Sequence, residues 1–175
     1  MLRVRTKNGL KISCNITINV IPKKYKCASN IEYKMFSIIY HIFCYDAWFY
    51  ISHIILHIPR IYGAIHNIHH ATSYLELNCD STAKGHLVEH IIQPLGIFIP
   101  CLYYGINPTY FFISFLIITT RGLMRHDHRC TWIIGNHHLL HHKHPKYNFG
   151  EYWIDRMLGT LYPKSDEYIY GLIYT

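Results

Sequence analysis

His137-His138-Leu-Leu-His141-His142-Lys-His144 places five histidines within eight residues. On a helix, positions three and four apart share a face, so His138, His141 and His142 form one stripe of imidazoles. The same spacing recurs upstream in His53-Ile-Ile-Leu-His57 and His66-Asn-Ile-His69-His70, with further pairs in His86-Leu-Val-Glu-His90 and His126-Asp-His128. Only His41 stands apart from these five clusters, and it reads as a satisfied core residue. Imidazole is a common ligand for iron, zinc and copper, and neither packing nor solubility calls for so many rings in register. A metal-scavenging tract or a tag would be continuous. Here apolar segments separate the clusters. The spacing predicts a folded transition-metal site with more than one ion, built from helices.

At 175 residues the chain has room for one domain with a sizeable core. Half of it is apolar and only 15% is charged, low for a soluble domain. Cys14, Cys27, Cys44, Cys79, Cys101 and Cys130 include no C-x-x-C pair, which points to reduced thiols in a cytosol-facing protein. The basic start runs into no continuous apolar stretch, so a cleaved signal peptide is not expected.

Charge is unevenly placed. Residues 1–34 hold eight Lys/Arg against Glu32 alone, while the rest of the chain balances to zero. Such an arm suits an anionic leaflet, where each basic side chain gains on the order of 1 kcal/mol; a solvated basic face fits equally well. Nucleic acid is disfavoured, because the arm has few aromatics and no binding motif. Alternation from Ile12 to Val20, with an Asn8-Gly9 turn upstream, suits a small β-hairpin across Leu2 to Val20.

Two apolar blocks follow. Asp46 is the one formal charge between Met35 and Pro59, and residues 90–120 carry none. Pro94, Pro100 and a Gly105-Ile-Asn-Pro108 turn signal divide the second block into halves shorter than the roughly 20 residues of a full helical span. The expectation is a helical hairpin in the bilayer over 91–120, turning near Gly105–Pro108. It would return the chain to its starting side and keep the histidines on one face. Arg121, Arg125 and Arg129 read as its cytosolic exit. Two buried helices of a soluble domain are the alternative.

The order of these elements resembles a known family. Asp46-Ala-Trp-Phe-Tyr50-Ile-Ser-His53-Ile-Ile-Leu-His57 looks like its first histidine box, and Pro59-Arg-Ile-Tyr62-Gly-Ala-Ile-His66-Asn-Ile-His69-His70 like its second. His137-His138-Leu-Leu-His141-His142, trailed by Asn148-Phe149-Gly150, Trp153-Ile-Asp155-Arg156 and Gly159-Thr160, looks like the third. The resemblance, over roughly 46–161, is to the fatty acid hydroxylase and sterol desaturase superfamily of membrane-bound histidine-box oxygenases. It implies a di-iron centre, with zinc able to replace iron in purified protein, using O2 and two electrons. Those electrons would come from NAD(P)H through a reductase and a cytochrome b5-like donor.

Carried over residue by residue, the implied ligands are His53, His57, His66, His69, His70, His138, His141 and His142, with His126 and His128 matching the isolated histidine before the third box. His86 resembles a His-Pro-Leu-Glu element without its proline and is a ligand or supporting candidate; His137 is a supporting one. A ligating imidazole needs an acceptor for its other N–H. Asp46, seven residues before His53, and Glu89, Asp127 and Asp155 are the candidates. Ile54 and Gly63 stand where the family commonly has basic residues, and only the basic arm precedes Met35.

The resulting expectation is an all-α membrane protein: a bilayer hairpin with a cytosol-facing, histidine-rich di-metal domain in an endoplasmic-reticulum-type membrane. Its parts would be a basic arm (1–34), a hydroxylase-like domain (35–162) and a C-terminal tail (163–175). It would hydroxylate or desaturate a membrane lipid (a fatty acyl chain, sphingoid base or sterol), without nucleic acid and with self-association left open. The competing reading is a truncated, inactive metal-binding membrane protein that scaffolds. A zinc hydrolase fits less well, since there is no H-E-x-x-H helix.

Overall fold

A 26-residue helix, α1 (Ile31–Leu56), forms the spine of the molecule. It contains no glycine or proline and stops just before Pro59, whose ring and missing N–H cannot continue a helix. The computed structural model describes residues 31–173, and the expected hairpin across Leu2 to Val20 lies outside them. Within the described residues every regular element is helical, with no strand. Residues from Ile31 onward make one compact unit.

Short α2 (Pro59–Ala64) and 3₁₀ turns at His66–Ala71, Tyr74–Glu76 and Cys79–Ala83 lead to α3 (Leu87–Ile92). A 3₁₀ stretch, Gln93–Phe98, joins α3 to α4 (Ile99–Tyr104). The run Leu87–Tyr104 is long and apolar enough to cross a membrane. Pro94 and Pro100 tighten it locally. Pro100 has no N–H to offer the Ile97 carbonyl, and His41 of α1 donates Nδ1–H to it instead at 2.8 Å. That is the core role expected for His41. Gly96 allows the close approach: a Cβ there would lie 2.5 Å from Trp48 Cβ and 2.9 Å from Tyr45 Cα.

Gly105, at φ +74°, ends α4, and Asn107 caps α5 (Pro108–Arg125), accepting at Oδ1 from Tyr110 N–H with Pro108 at the first turn. Across this turn the Phe98 and Phe111 rings meet at 5.1 Å. Both segments are longer at their inner ends than the uncharged block. At the end of α5, Arg121 and Arg125 are both buried within its last turns. Arg121 pairs with Asp46 of α1 and lies 3.4 Å from Glu151; Arg125 pairs with Glu151. The two guanidinium groups also lie over the Tyr45 and Phe49 rings.

After α6 (Thr131–Ile134) and α7 (His137–Lys143), α8 (Tyr152–Leu158) ends at left-handed Gly159. The core gathers around α7, where Leu139 and Leu140 are fully buried. The segment expected as a tail is laced to the body. Ile169 exchanges hydrogen bonds with Asn136, and Leu172 and Ile173 donate to the carbonyls of Trp132 and Ile133. The outer faces of α1, α4 and α5 expose Met35, Phe36, Ile39, Phe43, Leu102, Phe112 and Leu116. An apolar surface of this extent does not suit water.

Candidate metal centre

Nine histidines converge in two groups. His53, His57, His66, His70 and His141 form one, and His69, His126, His138 and His142 the other; within each, one nitrogen per ring lies within 4.8 Å of all the rest. Four elements supply them. His53 and His57 come from the end of α1 and the residue just past it. His66, His69 and His70 lie on a 3₁₀ segment, where three residues per turn stack the rings of His66 and His69 at 5.4 Å. His126 caps α5, and α7 carries His138, His141 and His142. Neither sequence cluster stays together: His69 parts from His66 and His70, and His141 from His138 and His142.

The tautomers follow from the surroundings. A carbonyl can only accept, so His53 donates Nδ1–H to Phe149 O (2.5 Å), His141 to Tyr147 O (2.6 Å), His69 to Lys84 O (2.8 Å) and His126 to Gly122 O (3.0 Å). Each neutral ring then turns a bare Nε2 inward. His69 and His126 face each other Nε2 to Nε2 at 3.1 Å, although neither has a proton to share there. His138 Nε2 meets His126 Nε2 at 3.1 Å. In the other group His53–His66 close to 3.0 Å, His57–His141 to 3.1 Å and His70–His141 to 3.2 Å. Lone pairs facing at such distances suit a cation between them. Both His142 nitrogens are also buried with no hydrogen-bond partner in the protein. The donor set therefore fits two metal ions.

Burial, reinforced by the neighbouring rings, lowers His57 and His126 to about 3 and His70 to about 2, and depresses His138, His141 and His142 strongly. These imidazoles are neutral at physiological pH, the form that ligates.

The remaining expected residues lie elsewhere. His128 belongs to neither group: its Nε2 donates to Tyr74 O at 2.7 Å. His86 caps α3, accepting from Val88 N–H. Among the carboxylates only Glu89 reaches a grouped ring, 3.1 Å from His66 Nδ1 and nearly fully buried. Asp46 shares the helical face of His53 as expected, but the Arg121 guanidinium occupies it. Asp127 serves Arg129 and Cys79; the Arg129 hydrogen bonds hold its carboxyl well below the usual range. Asp155 accepts from His137 Nε2 at 3.0 Å, so both support the neighbourhood without facing a metal. The Arg121, Arg125 and Glu151 network escaped sequence reasoning. Its one signal was a pair of arginines four apart at the end of an apolar helix.

A cavity of about 270 Å³ opens beside the histidines. Phe49, Pro94, Ile97, Phe115, Ile118 and Leu123 give it apolar walls, and Thr82, Gln93 and Thr119 polar points. His69, His126 and His138 line it from the four-histidine group, and His53 alone from the five-histidine group. The smaller group faces the cavity; the larger sits behind it.

The model of the family described as fatty acid hydroxylase matches residues 38–160. Among curated proteins, the chain is similar to the Delta(7)-sterol 5(6)-desaturase ERG3 of Saccharomyces cerevisiae, at 29% identity over 139 residues. It is also similar to the Delta(7)-sterol 5(6)-desaturase of Candida glabrata, at 30% over 138 residues. Each alignment covers 74% of this chain and 36% of the relative, so the chain spans about a third of the length of these proteins. No solved structure matches.

Proposed function

Because this chain belongs to the fatty acid hydroxylase family, we propose that it is a membrane-bound, non-haem di-iron oxygenase that desaturates or hydroxylates a membrane lipid with O2 and two electrons. The observation that carries this is the pairing of two imidazole groups with an apolar cavity bordered by both. The names of the two relatives favour a sterol as the lipid and desaturation as the outcome. Iron held by the nine rings would supply the oxidising chemistry that an unactivated C–H bond requires.

The protein's own part is positional. The wall formed by Phe115, Ile118 and Ile97 takes an apolar lipid skeleton and keeps water from the reacting end. Gln93 and Thr119 offer hydrogen bonds that fix its orientation. His69, His126 and His138 define the end of the cavity at which the lipid is oxidised.

In this reading the segments 87–104 and 108–125 form a hairpin in the bilayer. Leu102, Tyr103 and Ile106, the exposed residues about its turn, lie deepest, and the histidines face the cytosol of an endoplasmic-reticulum-type membrane. Helical segments suit this because backbone in lipid must satisfy its own hydrogen bonds. A hairpin also lets His126 reach the same centre as residues 66–70 without a bilayer between them. A cytochrome b5-like donor would dock on the cytosolic face.

The test is lipid profiling of a host expressing the wild type beside His138→Ala,His142→Ala. A sterol or acyl lipid losing two hydrogens, or gaining one oxygen, only with the wild type is the expected result. Identical profiles, with iron-loaded wild type present in the membrane, would overturn the enzymatic reading and leave the scaffolding one.

A further inference from the structure

Two of the carbonyls that orient grouped rings come from neighbouring residues of one loop. Tyr147 O accepts from His141 Nδ1 at 2.6 Å and Phe149 O from His53 Nδ1 at 2.5 Å, and both rings belong to the five-histidine group. Between them Asn148 holds φ +59°, the left-handed region that asparagine tolerates better than most residues. Its fully buried side chain is used throughout. Oδ1 accepts from Tyr162 N–H (2.8 Å) and Tyr168 O–H (3.0 Å), Nδ2 donates to His137 O (3.1 Å), and its own N–H donates to Thr160 O (2.9 Å).

The next two amides, Phe149 N–H and Gly150 N–H, donate to the buried Asp155 carboxylate at 2.9 and 2.8 Å, with Thr160 Oγ1 donating to the same group. The loop also lies hard against α1: a Cβ on Gly150 would come within 2.8 Å of the Tyr50 ring. Every amide of residues 148–150 is thus drawn away from the histidines, and two carbonyls are left to face them. The four-histidine group takes its acceptors from elsewhere, Lys84 O for His69 and Gly122 O for His126.

We propose that Asn148 is a positioning residue for one metal only: it sets the loop whose Tyr147 and Phe149 carbonyls fix the tautomer and tilt of His141 and His53. The inference rests on the two-metal reading above. A ring released from its outer acceptor loses basicity and orientation, which weakens metal binding about 10–100-fold. That loss falls on the five-histidine group and spares the other.

Zinc affinity of the full chain in detergent, measured against a competing chromophoric chelator, tests this in two backgrounds. His138→Ala,His142→Ala leaves the five-histidine group; His57→Ala,His66→Ala,His70→Ala leaves the four-histidine group. Unsubstituted protein binding two zinc ions, and each background one, establishes the two-metal reading before residue 148 is touched; any other stoichiometry sinks that reading itself. Asn148→Gly, which keeps the left-handed backbone but removes the side chain, should then weaken zinc about 10–100-fold in the first background and leave the second unchanged. Should it lower helix content by circular dichroism, Tyr168→Phe, which removes the one hydroxyl that donates to Asn148 Oδ1 and Tyr162 O, asks the same question with a smaller loss. Equal loss in both backgrounds, or none in either, overturns the proposal.

Discussion

The five-histidine and four-histidine groups share ligand chemistry and differ in setting. The larger is enclosed by α1, α7 and the 147–150 loop, with Glu89 behind His66. The smaller lines the cavity through three of its rings, leans on helix-terminal carbonyls and leaves both His142 nitrogens without a protein partner. In the proposed reading the first group holds its ion and the second meets the ligand. Two centres made of the same side chain can be specialised by what stands behind the rings.

Removing the rings is the largest perturbation. Alanine at His138 and His142, or at His57, His66 and His70, should each lower metal content from two ions to one. Either should also lower lipid oxidation by more than the roughly 100-fold seen when supporting residues are lost. Elemental analysis beside turnover reads both, and retained turnover with one ion would end the idea that the groups work together.

The shared frame comes next. Arg121→Met or Glu151→Leu leaves an uncompensated charge within the buried network of Asp46, Arg121, Glu151 and Arg125, at a cost of about 3–5 kcal/mol. Thermal unfolding should show it for both groups alike. A change at one group alone would show that the network serves that side only.

Glu89→Gln separates the groups more finely. It removes the carboxylate 3.1 Å from His66 Nδ1 and should weaken one ion about 10-fold while the other keeps its affinity. Gly122→Leu probes the opposite side: a Cβ on this cavity-lining residue would meet only Thr82 Cγ2, at 4.0 Å, which leaves room for a larger side chain to reduce the cavity. Two ions should remain bound while KM for the lipid rises. Loss of metal from this variant would show that the cavity wall is part of the metal frame.

Acid should distinguish the groups least. His57 and His126 at about 3 and His70 at about 2 lie below the ordinary 6.5, so the unfolded chain binds more protons than the folded one between these values. Metal-free protein is therefore most stable above about 6.5 and loses stability as pH falls from there towards 3. Urea midpoints measured across that range check the slope; midpoints rising on acidification would contradict neutral, buried rings.

Spacing alone made the histidines legible, because repeats three and four apart survive any local detail of the helix. The sorting into two groups was not legible. It depends on His66–Ala71 winding as 3₁₀ rather than α, and on where α7 lies between its neighbours. Asp46 shows the same limit. Its distance from His53 along α1 was read correctly, but its partner comes from α5, 75 residues away, and a long-range guanidinium has no local signature. The left-handed Asn148 sits in the trailing Asn-Phe-Gly motif, visible as a pattern whose physical purpose appears only with the carbonyls on either side.

The buried network of two carboxylates and two guanidinium groups constrains how this sequence can drift. Losing any one member strands a charge in an apolar interior, whereas exchanging a pair for well-packed apolar side chains of similar volume is often close to neutral. Descendants should therefore change Asp46 with Arg121, or Glu151 with Arg125, in linked steps, and chains caught between steps should be rare. Three segments far apart in the gene, around residues 46, 121–125 and 151, would then evolve as one unit although none of these residues holds a metal.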